Sequence, residues 1–189
     1  MFFRSERLFL RPLWSEDWQA LHHQINDAEV VRHLARAPWP YTEEDARWFA
    51  GQTQDERYPH FLITRPRGDD GVDTLGVIGL HDEGGETALG YWLGRDHWGQ
   101  GYATEAARAV IDIARAIGHR HLIAMHFLDN PASAGVLARA GFRDTGDVLP
   151  MHSLARGGKA LARKHVLELS HDGDTTSDDD NSGPMMRAA

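Results

Sequence analysis

The sequence predicts a mixed α/β domain, on three observations. TLGVIGLH (74–81) and ETALGYWL (86–93) are apolar runs of strand type, joined by DEGG (82–85), a hairpin turn. Segments of helical period lie on both sides of this hairpin and are bounded by capping residues and glycines. Beyond residue 120, strand-type runs alternate with a helical one, which is the order of a crossover. With 189 residues, one domain is expected, and a hydrophobic content of 41% suffices for a packed core. The domain is assigned to residues 1–170.

ERLFLRPL (6–13) reads as the first strand. Ser15 then caps a helix with Glu16 and Asp17 in its first turn and Trp18, Leu21, His22 and Ile25 at helical spacing. DAEVVRHL (27–34) is a second short helical piece, and the proline-rich APWPY (37–41) breaks it. Thr42 and Asp45 form a capping box that opens a helix to about Gln54. The period then changes. HFLITR (60–65) is a strand, PRGDDGVD (66–73) a polar loop, and the hairpin follows. The next helix buries Ala107, Val110, Ile111, Ala114 and Ile117 and stops at Gly118. HLIAMHF (121–127) is a strand. Asn130 and Pro131 are the N-cap and first position of a helix that runs to Ala140 and ends at Gly141. FRDTGDVL (142–149) and ALARKHVLELS (160–170) are the last strands.

Composition removes several classes of function. There is no cysteine, so no disulfide, thiolate metal site or cysteine acyl-enzyme can form. Arg4, Glu6, Arg7 and Arg11 interrupt the first residues, and no run is long enough for a signal peptide or a membrane span. A cytoplasmic location is expected, with no membrane partner. Five aspartates and one arginine give residues 171–189 a charge of −4, half the net −8. This tail lacks apolar periodicity and reads as disordered. The remaining body is mildly acidic, which argues against nucleic acid as a ligand and is compatible with a cationic one. His119, His121 and His126 do not share one strand face, so no metal is expected.

The stretch YWLGRDHWGQGYATEA (91–106) joins a strand to a helix through Gly94, Gly99 and Gly101. Free N–H groups and the dipole at a helix start favour an anion, and glycines let a phosphate approach the backbone. Neither nucleotide motif fits. The run G-x-x-x-x-G-K-[ST] is absent, and the dinucleotide fingerprint fails at Thr104 and finds no acidic residue in 121–127.

WGQGYATEA (98–106), with GYWL (90–93) before it and NPASAGVLARAGF (130–142) after it, resembles the GNAT superfamily of N-acetyltransferases. The closer likeness is to its ribosomal-protein alanine N-acetyltransferase-like (RimJ/RimL-type) branch. The family motif Q/R-x-x-G-x-G/A falls on Trp98, Gly101 and Ala103, and departs at its first position, as is common in that branch. ERLFLRPL, PWPYTEEDARWF (38–49) and GVIGL (76–80) also look like that branch. The resemblance implies a GNAT-like fold, a central, mostly antiparallel twisted sheet flanked by helices. It implies direct transfer of acetyl from acetyl-CoA to an amine, without a metal. The backbone from Trp98 through Gly99, Gln100, Gly101, Tyr102 and Ala103 to Thr104 would cradle the pyrophosphate. Trp92 and Leu93 join this cofactor-binding set, the Leu93 backbone pairing with the pantetheine arm as an added strand. Asn130 would touch the CoA arm, with Ser133 near its sulfur, and Arg139 and Arg143 are candidates for the 3′-phosphate.

Many members of the family place an acidic tyrosine seven residues after that asparagine, where Leu137 stands here. Ser133, one turn earlier on the same helical face, is the candidate to assist departure of the thiolate, with Tyr91 next in line. The usual strand carboxylate position holds Ala88. Glu86, two residues earlier on the same face, is a candidate base, and His81, Asp82 and Glu83 lie nearby. Trp39, Tyr41 and Trp48 would wall an acceptor pocket. The acceptor stays open among protein N-termini, polyamines, amino-sugars and amino acids, as does monomer against homodimer. A non-catalytic acyl-CoA-binding module of the same fold is the alternative.

Overall fold

The computed structural model describes residues 1–68 and 71–169; the tail 171–189 lies outside the described residues. In chain order the elements are β1 (Phe3–Arg4), β2 (Phe9–Pro12), α1 (Trp18–Ile25), α2 (Ala28–Val31), α3 (Glu43–Ala50), β3 (His60–Pro66), β4 (Val72–Glu83) and β5 (Glu86–Leu93), followed by α4 (Tyr102–Ala116), β6 (His121–Phe127), α5 (Pro131–Ala140), β7 (Arg143–Ser153) and β8 (Gly158–Glu168). Among the described residues the strands form one sheet in the order β1-β2-β3-β4-β5-β6-β8-β7. The mixed α/β, mostly antiparallel architecture is the one expected.

The sheet separates two cores. On one face Ala106, Val110, Ile113 and Ala114 of α4 and Leu137 of α5 pack on Ile78, Leu80, Leu89 and Leu122. On the other, Leu21 and Ile25 of α1, Val30 and Val31 of α2, and Ala46 of α3 pack on Leu62 and Val77. The helical stripes read from the sequence are thus the buried faces. Parity alternates along β5: Leu89 and Leu93 point to the α4 side, and Trp92 packs toward α1 and α3.

Several boundaries differ from expectation. Ser15 is not a cap; Ser15–Asp17 forms a 3₁₀ turn, and Asp17 accepts the Trp14 N–H at 2.8 Å while pairing with Arg11 through both oxygens at 2.6 and 2.7 Å. A carboxylate that joins strand β2 to the helix start does more there than a serine hydroxyl could. The Thr42–Asp45 capping box is present, but α3 ends at Ala50 with Gly51 as C-cap rather than at Gln54. β7 runs four residues beyond the expected end, β8 keeps its expected length but starts two residues earlier, and the two form one hairpin, Arg143↔Val166 to Ser153↔Gly158. Residues 3–4 add an edge strand too short to be read from its pattern.

Side chains of Arg11 and Asp17 are only 17% and 10% exposed, so breaking this pair strands a partly buried charge. Asp17→Ala is expected to cost about 2 kcal/mol, or roughly 4–8 °C in melting temperature. Glu43→Ala, which removes an exposed pair with Arg47, is expected to cost under about 0.5 kcal/mol. Equilibrium denaturation of the two variants checks the ordering.

Candidate active site

The site begins where two strands part. β5 and β6 are parallel neighbours, yet they are bridged only at Ala88↔Ile123. Beyond that point β5 stays with β4, and β6 stays with β8. The Gly94 N–H donates to the Leu75 carbonyl across β4 at 2.8 Å. By alternation, Leu93 and Tyr91 turn their peptide groups away from β4 and into the widening gap. Trp92 turns its peptide toward β4, and its indole packs on the opposite face, so its backbone does not line the gap. An edge of this kind can accept an extended chain as an extra strand.

At the wide end of the gap lies the glycine loop. Gly99 has φ 72° and Gly101 φ 81°, left-handed values that side chains resist. Gly101 is the N-cap of α4, and no side chain caps the helix. Glu105 N–H is the first to bond back to Gly101, so the amides of Tyr102, Ala103 and Thr104 face outward without an intrahelical acceptor. The loop is held from outside: the Trp98 indole N–H donates to the Leu93 carbonyl at 2.9 Å, the Gln100 amide to the Asp96 carbonyl at 2.9 Å, and Arg7 to the Gln100 carbonyl at 3.1 Å. Tyr102 turns its side chain inward, where its hydroxyl accepts from Arg65 at 2.7 Å and its ring lies 4.6 Å below Arg7. Ala103 packs against the core, and Thr104 is buried.

A groove of about 420 Å³ runs past Gly101 and Thr104, its charged lining made of Arg7, Arg108 and Arg139 together with Glu6, Glu105 and Asp112. Arg139 Nε donates to Thr104 Oγ1 at 3.4 Å, and Arg108 to the Arg139 carbonyl at 2.8 Å. Among the described residues neither Arg108 nor Arg139 has a carboxylate partner, whereas Arg7 pairs with Glu105 at 2.7 Å. Glu105 also accepts from Ser5 and the Arg7 amide, so it fastens the N-terminal segment to the helix start. Those contacts hold its pKa down against the effect of burial. Arg7 was not legible as part of this groove. Arg108 follows Thr104 by four residues, and helical spacing could have found it. Arg143 is not among the lining residues.

The narrow end holds a hydroxyl pair. Tyr91 Oη and Ser133 Oγ are 2.8 Å apart, β5 meeting the first turn of α5. Burial pushes the Tyr91 phenol up to about 12, against opposing effects of Ser133 and the Arg139 charge, so it is protonated at neutral pH. Asn130 is the N-cap of α5, its Oδ1 accepting the Ser133 N–H at 3.2 Å. Leu137 is fully buried in the core, which leaves it no part in the gap.

Glu86 is not brought to this pair. It lies five residues before Tyr91, on the opposite face, roughly 16 Å away along the strand, and its carboxylate holds Lys164 Nζ at 2.6 Å. Asp82 accepts from Gly85 within the hairpin turn, and Glu83 pairs with Arg36 at 2.7 Å. His119 is buried between Thr87 Oγ1 and the Arg57 carbonyl, at 3.0 and 2.8 Å. Tyr41 is buried, and burial raises its pKa; Trp39 and Trp48 are exposed.

Residues 7–143 match the acetyltransferase (GNAT) domain family. An uncharacterized N-acetyltransferase, p20, of Bacillus licheniformis is 32% identical over 112 residues, covering 57% of this chain and 62% of that protein, so the match spans under two thirds of its length. The uncharacterized N-acetyltransferase YoaA of Bacillus subtilis is 27% identical over 146 residues, 75% of this chain and 82% of its own. Among solved structures, a GNAT-family acetyltransferase from Bacillus anthracis superposes with a TM-score of 0.75 at 23% identity, covering 89% of this chain and 98% of its own. RimL, a ribosomal alpha-N-protein acetyltransferase solved with coenzyme A, gives 0.72 at 19% identity over 89% and 98%. The microcin self-immunity acetyltransferase MccE, solved with acetyl-CoA and AMP, gives 0.71 at 19% identity over 87% and 94%. These likenesses at low identity concern the fold; the match across residues 7–143 settles the family, and the chain belongs to the GNAT acetyltransferases.

Proposed function

We propose that the chain transfers the acetyl group of acetyl-CoA to a primary amine by direct attack in a ternary complex, and that the amine is the α-amine of a peptide or protein N-terminus. One observation carries the reading. The edge of β5 that leaves β6 runs from the arginine-bearing groove and glycine loop at one end to the Tyr91–Ser133 pair at the other. A pyrophosphate fits the outward amides of Gly101 to Thr104, and Arg108 and Arg139 offer charge to a further phosphate. The pantetheine arm fits beside Leu93 as an added strand, with its sulfur directed toward Ser133. Peptide N–H groups on that edge would polarise the thioester carbonyl.

Departure of the thiolate calls for a proton or a hydrogen bond. Ser133 supplies it, backed by Tyr91, whose buried phenol stays protonated and shares a hydrogen bond with the serine hydroxyl. The absence of cysteine excludes a cysteine acyl-enzyme and agrees with a single displacement. RimL, a structural neighbour, acts on a protein α-amine. Acceptor chemistry points the same way. Deprotonating an α-amine at pH 7 costs about 1.4 kcal/mol, and a lysine amine about 4.6 kcal/mol.

Gly101→Ala is expected to cost about 1–2 kcal/mol in stability, because the left-handed φ remains, and to weaken CoA binding at least ten-fold in calorimetry. Unchanged CoA affinity in the folded variant would remove the loop from the site. Ser133→Ala and Tyr91→Phe should each lower kcat several-fold to about 10²-fold, with CoA affinity nearly unchanged. If the two act as one unit, the double variant is hardly worse than either single one, and multiplying effects would show separate roles. A screen of peptides beginning with Ala, Ser and Met against acetylatable lysine peptides and polyamines, followed by CoA release, should favour the α-amines. Preference for lysine would overturn the acceptor assignment, and CoA binding without turnover of any amine would leave an acyl-CoA-binding module.

A further inference from the structure

Direct acetyl transfer also needs a group to take the proton that the attacking amine loses. The glycine loop, Tyr91 and Ser133 lie on the α4–α5 face of the sheet. CoA seated there leaves the amine to approach the thioester from the opposite face, through the gap beyond Ala88↔Ile123. On that opposite face the sheet has a bare floor. Gly79 of β4 and Gly90 of β5 are direct partners, with Trp92 two residues further along β5. A methyl group on Gly79 would meet His60 Cδ2 at 2.7 Å, and one on Gly90 would meet His81 Cε1 at 3.2 Å and Nδ1 at 3.5 Å. Two imidazoles therefore lie over two side-chain-free positions.

The two histidines are not equivalent. His60 stands on β3, two strands from β5, and its ring is wedged edge-on against Phe49 at 6.1 Å. His81 stands on β4, directly opposite Ala88, the residue that makes the last bridge to β6. Its side chain is 26% exposed, and Nε2 lies 3.5 Å from Glu83 Oε2. Nδ1 is the ring nitrogen nearest Gly90, and in the tautomer that carries its hydrogen on Nε2 the Nδ1 lone pair is turned to that position.

We propose that His81 is the general base of the acetyl transfer, with Nδ1 accepting the proton of the amine nitrogen as that nitrogen bonds to the thioester carbon. The N–C bond forms, the C–S bond breaks, and the sulfur leaves as the thiol with a proton from the Ser133–Tyr91 side. The amine proton passes from Nδ1 to water. Burial is the main reason that the His81 pKa falls to about 4; Arg36 and His60 push the same way, and Glu83 and Asp82 oppose them. The imidazole is therefore unprotonated at physiological pH. It is a weak base suited to the strongly acidic nitrogen that exists only once bonding has begun.

The inference rests on the acetyl-transfer reading, and its test separates the two. The probe is whichever Ser-, Ala- or Met-initiated peptide the wild-type protein acetylates fastest. No turnover of any of them by the wild type overturns the parent reading and this one with it. With turnover established, His81→Gln, which keeps polarity without basicity, should lower kcat at least ten-fold while acetyl-CoA affinity stays within two-fold. His81→Ala should fall as far and regain activity at least several-fold with added imidazole, whereas His81→Gln, with its space filled, should not. A kcat within two-fold of wild type in His81→Gln, or a folded His81→Ala that imidazole leaves unchanged, overturns the assignment of His81 alone.

Discussion

The single bridge Ala88↔Ile123 is the constraint on which the site depends. Two parallel strands that stayed paired would satisfy each other's peptide groups and leave no opening. Because β5 follows β4 and β6 follows β8, the peptide groups of Tyr91 and Leu93 are left without a strand partner, and the Leu93 carbonyl takes the Trp98 indole N–H at 2.9 Å instead. The groups left open on this edge suit an extended polar partner or water. α4 and α5 pack on the face that carries the hydroxyl pair, and His81, Gly90 and Trp92 belong to the opposite face.

Missing side chains do as much here as those present. Gly101 permits the left-handed turn that aims α4 at the groove, and the lack of a capping side chain keeps its first amides available. Gly79 and Gly90 act by space rather than by φ: Gly79 lets the backbone of Pro59 and His60 and the His60 ring come close, and Gly90 leaves room for the His81 imidazole. Leu137 makes the converse point. Its full burial commits that helical position to packing, and the hydroxyls that face the gap are those of Tyr91 and Ser133, 2.8 Å apart.

Pairing, rather than net charge, sets the character of the groove. The chain carries −8, and the groove beside the glycine loop is lined by three arginines, Arg7, Arg108 and Arg139, and three acids, Glu6, Glu105 and Asp112. Glu105 is held by Arg7 and Asp112 by Arg115, whereas Arg108 and Arg139 have no carboxylate partner among the described residues. Of the other acids near the site, Glu86 is engaged by Lys164, Glu83 by Arg36, and Asp129 by Arg32 and Arg156. Local potential, not total charge, decides which ion a groove holds.

The sequence alone determined whatever is written in local dihedral preference and in the periods of 2 and 3.6. The hairpin about DEGG, the capping box at Thr42, the N-cap at Asn130, the buried stripe of α4 and the helix start at Gly101 were all legible, and the motif in 98–106 carried the family. The helix start at Ser15 was misread because the group that organises it, Asp17, does so by reaching Arg11 on a strand. Only the tertiary structure decided which distant residues meet. Tyr91 and Ser133 are 42 positions apart, Glu86 and Lys164 are 78, and Arg7 and Glu105 are 98. Parity could place Glu86 and Ala88 on one face, but it could not show a lysine from the far hairpin holding Glu86 or an imidazole from β4 lying over Gly90. Periodicity records the direction in which a side chain leaves its own backbone; what it meets is fixed by strand order and register, which arise when both faces of the sheet are buried at once.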